Sequence, residues 1–401
     1  MLDLTKLARQ MQGISEHLSQ EAEAAQQRIK IAQNLMRLAT QEQPQRTQSL
    51  VNYRDRLIFA AAEPIEPLDT RVAIDTAPAA HSVLSSDGSQ ISPSHHEIAY
   101  CYLLNISRVI IHYGQSRYPL LDSIPEVIYR PEDLYASRKW GIRTEEWMSY
   151  KRTAAEAVML AELGASSAQT CEKQATTTAA APTLAMTDGS LIYWFLEQIP
   201  AKARDEILLP VLEAWDALKA KKIPVMGYIS ASRSGEALNF LRLQACPYEH
   251  PDCLSHCEDN RGQTPCNAFS PLRDVTLWAT SLSPGERGPL WKSSADILSC
   301  YAEHSVYFCY VHVGAEVARV EFPQWVVEDK RLLNSALSLM LAQVQKGFGY
   351  PVALAEAHNQ AVVRGGDRTR FFTLLEQQMI RAGLKNVGTS FKEARKRGSV
   401  A

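Results

Sequence analysis

The chain has no apolar run approaching the roughly 18 residues that cross a bilayer. Its first residues, Met1-Leu-Asp-Leu-Thr-Lys-Leu7, also lack the charged-then-apolar layout of a secretory leader. Both absences point to the cytoplasm and away from a membrane. A one-sided charge is missing too: 42 Lys and Arg stand against 44 Asp and Glu, a net charge of -2. That balance excludes a globally basic nucleic-acid coat and leaves room for a local patch, so it does not argue against a nuclease. No Gly-x4-Gly-Lys-Ser/Thr phosphate loop occurs, so any nucleotide-driven motor of that kind must be another chain. What is there, 401 residues that are 46% hydrophobic and 21% charged, suits a globular protein of one large domain or two ordinary ones.

One phrase occurs twice. Val83-Leu-Ser-Ser-Asp87-Gly-Ser-Gln90 returns as Leu184-Ala-Met-Thr-Asp188-Gly-Ser-Leu191. In each copy a short apolar or β-branched run ends in Asp-Gly-Ser, which predicts a buried strand delivering a carboxylate to its end. Asp-Gly is a common turn dipeptide, so a plain turn is the bland alternative for either copy. Two carboxylates at adjacent strand ends repel each other, and keeping them together calls for a cation, typically a hard, oxygen-seeking metal.

Along the chain, Leu4, Leu7, Met11, Ile14, Leu18, Ala25, Ile29, Leu35 and Leu38 recur at helical spacing, predicting a long amphipathic helix over residues 1 to about 40. Its expected role is an arm for pairing or docking, with packing on the main domain as the alternative. Strands are predicted at 82–87, 98–104 and 108–112, then an irregular crossing at 119–131 and a helix at 145–163. A loose Ser/Thr/Ala linker follows at 165–181. After the strand ending at Asp188, the pattern predicts a helix at 206–221, a strand at 223–229 and a helix at 237–245. Next come a hairpin of strands 305–313 and 317–322, a helix at 332–345, and a last helix opening at Tyr350-Pro351. This alternation predicts an α/β fold, a mixed sheet flanked by helices.

Two ionisable residues fall on apolar faces. Glu156 lies within about 60° of Met159, Leu160 and Leu163 on a helical wheel, so it is expected to point inward and to need either Arg152, one turn back, or a metal. His358 shares a stripe with Leu354, Ala355, Ala361 and Val362; a satisfied core histidine is the ordinary reading of such a position. Eight cysteines include four within residues 246–266, Cys246-x6-Cys253-x3-Cys257-x8-Cys266. In a reducing compartment such a cluster suggests metal before disulfides. The spacing is not the paired C-x2-C of zinc sites, and a structural Zn²⁺, an Fe–S cluster and free thiols all stay open.

The order Asp87-Gly-Ser, inward Glu156, Asp188-Gly-Ser-Leu, Gly285-Glu-Arg287 and Tyr350-Pro-x-x-Leu-x-x-Ala-His358 resembles the NurA nucleases of DNA-end processing, over roughly residues 70 to 380. The resemblance implies an RNase H-like core that uses Mn²⁺, or Mg²⁺ in its place, to cut single- or double-stranded DNA ends as an exonuclease, an endonuclease or both. It further implies a homodimer that works with the HerA-type hexameric ATPase in double-strand break repair. By the same resemblance Asp87, Glu156, Asp188 and His358 are metal ligands and Tyr350 is a further catalytic residue. The implied layout is an N-terminal arm at 1–62, a NurA-like domain at 70–382 with a Cys-rich insertion at 245–270, and a basic tail at 383–401. The insertion is not part of the family's pattern.

The chemistry is coherent on its own terms, since two cations about 4 Å apart can position a hydroxide and neutralise phosphate charge. Imidazole as one ligand favours Mn²⁺ over Mg²⁺. A competing expectation is a non-catalytic DNA-binding or adaptor subunit stabilised by a cysteine-bound metal. An aspartyl-nucleophile phosphatase is disfavoured, because neither Asp87 nor Asp188 is followed two residues on by a second Asp.

Overall fold

The apolar runs of the sequence become strands of a mixed sheet, and the α/β expectation holds. This computed structural model describes residues 3–11, 13–92, 100–173, 181–257 and 264–383. The chain divides into two units. One comprises Met1–Ile74, Tyr228–Leu298 and Ser305–Glu321; the other comprises Asp75–Gly227, Ser299–His304 and Phe322–Ala401. The expected basic tail lies outside the described residues from 384 onward. Among the described residues no helix is long and apolar enough to cross a membrane.

The second unit carries the repeated phrase. Its elements are β1 (His81–Ser85), β2 (Gly88–Ile91), β3 (Tyr102–Tyr113), β4 (Leu120–Ile128), α1 (Thr144–Lys173), β5 (Thr183–Asp188), α2 (Ala201–Ala220), the first three residues of β6 (Val225–Ile229), α3 (Lys330–Lys346) and α4 (Val352–Ala361). Both β1 and β2 run antiparallel to β3, β4 is antiparallel on the other edge of β3, and β5 is parallel to β1 with β6 beside it. Residues 102–107 of β3 are buried on both alternating faces, as expected of a strand covered by helices on each side. Helix α1 packs on β3 and on α2, while α4 packs on β3 and β1.

Three local expectations give way. The first Asp-Gly-Ser does not turn the chain out of the sheet: the pairs Ser85↔Val109 and Gly88↔Ile106 keep one register along β3, so Asp87 lies in the short break between β1 and β2. The stretch predicted as an irregular crossing is β4, an edge strand in which Pro125 is tolerated opposite Asn105 because only one side of an edge strand is paired. Arg108 and Asp122, directly opposite, clamp that edge with two bonds of 2.8 and 2.7 Å. The supposed linker begins as helix, because the alanines after Leu163 favour it and α1 runs on to Lys173; residues 174–180 lie outside the described residues.

In the first unit the helix Ile14–Gln41 buries Ala32 and Ala39 in an apolar core shared with Leu238, Leu241, Trp278, Trp291 and Phe308. Leu4, Met11 and Leu18 remain exposed. A buried ionic knot sits in this unit. Arg319 bonds Glu236 at 2.7 Å, Glu321 at 2.7 Å and the Ser234 hydroxyl at 2.8 Å, and lies 3.6 Å over the Phe308 ring. Asp274 accepts from the backbone N–H groups of Ala237 and Leu238 and from the Tyr310 hydroxyl. Removing one member leaves buried charges uncompensated, which typically costs about 3–5 kcal/mol. Arg319→Ala is therefore expected to lower unfolding free energy by about that much in urea titrations, and an unchanged midpoint would contradict this role.

Candidate active site

The parallel register of β1 and β5 pairs Val83 with Leu184 and Ser85 with Met186. Extended by two residues, the same offset aligns Asp87 with Asp188, so the two copies of the sequence phrase lie side by side on strands about 4.8 Å apart. The repeat is thus a register. Asp87 is fixed from its backbone: its N–H donates to the Ser107 hydroxyl at 2.8 Å, its carbonyl accepts from the Ser107 N–H at 2.8 Å, and its Oδ1 accepts from the Gly88 N–H at 2.7 Å. Asp188 ends β5, and Gly189 turns the chain away at φ +97°, a conformation that favours glycine.

The glycine after Asp87 serves a different purpose. A Cβ on Gly88 would lie 2.6 Å from Glu156 Oε1 and 2.6 Å from Arg152 Cγ. Its absence is what lets helix α1 bring Glu156 against the sheet. There Glu156 Oε1 is buried without a hydrogen-bond partner; Arg152 Nε stands 3.3 Å away, near enough for charge attraction but not aligned as a bond. Both readings of Glu156 made from the sequence, an arginine pair and an exposed need for a cation, therefore have a physical counterpart.

Asp87, Arg152, Glu156 and Asp188 line a single cavity of about 420 Å³, together with Thr187 and Tyr193. Burial pushes the Glu156 carboxyl up to about 8; Arg152 opposes the rise, and Asp87 and Asp188 add to it. Asp188, although exposed at the cavity, is also raised by the protein around it; the Tyr350 hydroxyl bonded to it and His358 pull it down, while Asp87 pushes it up. His358 Nδ1 lies 3.0 Å from Asp87 Oδ2. All five residues singled out in the sequence are thus linked by bonds or charge.

His358 is not the core histidine its stripe suggested. Its side chain is 67% exposed, because the last turn of α4 carries the ring past the core towards Asp87. The Gly-Glu-Arg motif belongs to the other unit, where Arg287 is clamped by Glu66 at 2.6 and 3.0 Å in a structural pair. The four clustered cysteines are in that unit as well. Sequence reasoning missed Ser107, whose only signal is a hydroxyl residue inside an apolar strand, and the close approach at Gly88.

Among the described residues no group of three or more His, Cys, Asp or Glu is gathered tightly enough to hold a single metal ion. The three carboxylates instead line the cavity, and the imidazole reaches it through its bond to Asp87. Their chemistry suits a divalent cation: hard oxygens, one imidazole, raised carboxyls and a buried Glu156 oxygen lacking a donor. Gly88→Ala should force Glu156 and Arg152 apart and cost about 1–3 kcal/mol, as overpacking does. Urea denaturation checks this, and a loss of only a few tenths would show that α1 yields without strain.

Comparison with known proteins adds the following. No curated protein matches the chain. Among solved structures, the NurA nuclease from Sulfolobus solfataricus is 14% identical, covering 88% of this chain and 98% of that one at a TM-score of 0.45. A NurA structure with manganese is 8% identical, covering 88% and 98% at 0.39. One bound to dAMP and manganese is 12% identical, covering 96% and 98% at 0.36. A family model described as the NurA domain matches residues 81–363, a span that contains Asp87, Glu156, Asp188, Tyr350 and His358, and the chain belongs to that family.

Proposed function

We propose that this chain is a metal-dependent DNA nuclease that hydrolyses phosphodiester bonds at DNA ends. Membership of the NurA domain family supports the reading. The observation that carries it is the in-register pair Asp87 and Asp188 beside the buried, donor-less Glu156 oxygen. A β1–β3–β4 antiparallel set, followed through helix α1 by the parallel strand β5, supports assigning the core to the RNase H-like class.

Asp87, Glu156, Asp188 and His358 would hold a pair of divalent cations, Mn²⁺ before Mg²⁺. When bound, such ions lower the pKa of water and neutralise charge on the phosphate oxygens. The chain's own groups prepare the site. Tyr350 donates to the Asp188 carboxylate and fixes its orientation. Arg152 keeps part of the Glu156 charge compensated beside the sheet. His358, bonded through Nδ1 to Asp87, presents Nε2 as its ligating nitrogen.

Three further features complete the proposal. It acts on ends in double-strand break repair, as a homodimer, beside a HerA-type hexameric ATPase that supplies the nucleotide-driven movement this chain has no phosphate loop to power. Its layout is an arm at 1–62, a nuclease domain at 70–382 and a basic tail at 383–401.

A fluorescent linear DNA should be degraded with Mn²⁺ and spared with chelator. Asp188→Asn should reduce the rate at least about 100-fold, because partners one shell further out already cost 10–100-fold, and Tyr350→Phe should cost about 10-fold. Unchanged cutting by the Asp188→Asn protein would sink the assignment. DNA binding without cleavage in any divalent metal would make the chain an adaptor instead.

A further inference from the structure

The cysteine segment is not used by the proposed nuclease chemistry. Cys246 follows the helix Glu236–Ala245, Cys253 opens the helical turn Cys253–His256, Cys257 closes it, and Cys266 lies in the turn Pro265–Asn267. None of the four forms a disulfide. All four line one cavity of about 210 Å³.

Thiolates gathered around one cavity repel one another, and a multivalent cationic centre held among them would reverse that repulsion.

Size separates the two metal chemistries. Zinc with Zn–S bonds of about 2.3 Å draws four sulfurs onto one point and leaves no space between them. Here the four cysteines share the lining of one cavity of about 210 Å³ and are not gathered tightly enough to hold a single ion. Hydrogen-bonding groups lie beside them in the same lining: Arg242 Nη2 is 3.9 Å from Cys266 Sγ, the Tyr248 backbone bonds Cys246, and Thr264 Oγ1 and Cys266 Sγ share a hydrogen bond of 3.2 Å. Arg242, seated 3.9 Å over the Phe59 ring, brings a fixed positive charge to what would be an anionic centre. N–H···S bonds and nearby charge are the means by which proteins stabilise clusters held by thiolates.

We propose that Cys246, Cys253, Cys257 and Cys266 ligate a [4Fe–4S] cluster that staples the turns Cys253–His256 and Pro265–Asn267 to the helix Glu236–Ala245. The test is metal and sulfide analysis of the full-length protein purified without oxygen, with visible absorption and electron paramagnetic resonance after dithionite reduction. About four iron and four acid-labile sulfide per chain are expected, with a reducible visible chromophore. Cys257→Ser and Cys253→Ser should each lose most of the iron, whereas Cys300→Ser keeps it. About one zinc per chain without iron, or four titratable thiols with no metal, would overturn the proposal. Because the wild-type protein alone gives this answer, a variant that fails to fold does not blunt the test.

Discussion

Carboxylate repulsion, held in check by a strand register, is the constraint on which the second unit depends. Parallel pairing of β1 with β5 brings Asp87 and Asp188 level, and the missing Cβ of Gly88 admits Glu156 behind them. Burial first, and the neighbouring carboxylates in addition, hold Glu156 and Asp188 above their ordinary range, with Arg152 opposing the rise at Glu156. A fold that stores such repulsion is poised to take up positive charge. The Asp188 bond to Tyr350 and the Asp87 bond to His358 then fix where that charge would be met.

The first unit answers the same electrostatic problem by another route. Arg319 sits between Glu236 and Glu321, so a charge pair already present inside the protein satisfies each carboxylate. Asp274 is held by two backbone N–H groups and a tyrosine hydroxyl. No cavity of exposed acid groups is needed for that role. The contrast separates a structural ionic knot from a site awaiting a ligand: in the knot the carboxylates find donors, whereas Glu156 Oε1 does not.

Much of the site was legible in the sequence because its residues sit on periodic elements. The repeated Asp-Gly-Ser phrase revealed two carboxylates, and helical spacing put Glu156 on the sheet-facing side. What the sequence hid was tertiary. Nothing local distinguishes an Asp-Gly that turns away from one that stays in register along the same partner strand, and Gly88 and Gly189 look alike although one makes room for Glu156 and the other adopts a left-handed φ. An edge strand containing Pro125 reads as a loop until its single partner is known. His358 misled because a stripe gives direction around a helix but not where the neighbouring core ends. In the cysteine segment the spacing showed four thiols close in sequence, while the single cavity that all four line is a tertiary fact.

The central claim is that the three carboxylates and His358 surround a cation site. Its most direct test is a crystal of the protein soaked in Mn²⁺ and measured at the manganese absorption edge. Anomalous peaks within the cavity, bonded by Asp87 and Asp188 and completed by Glu156 and His358, are the predicted result. A map with no manganese there, from crystals of protein that degrades DNA in the same buffer, would contradict the account.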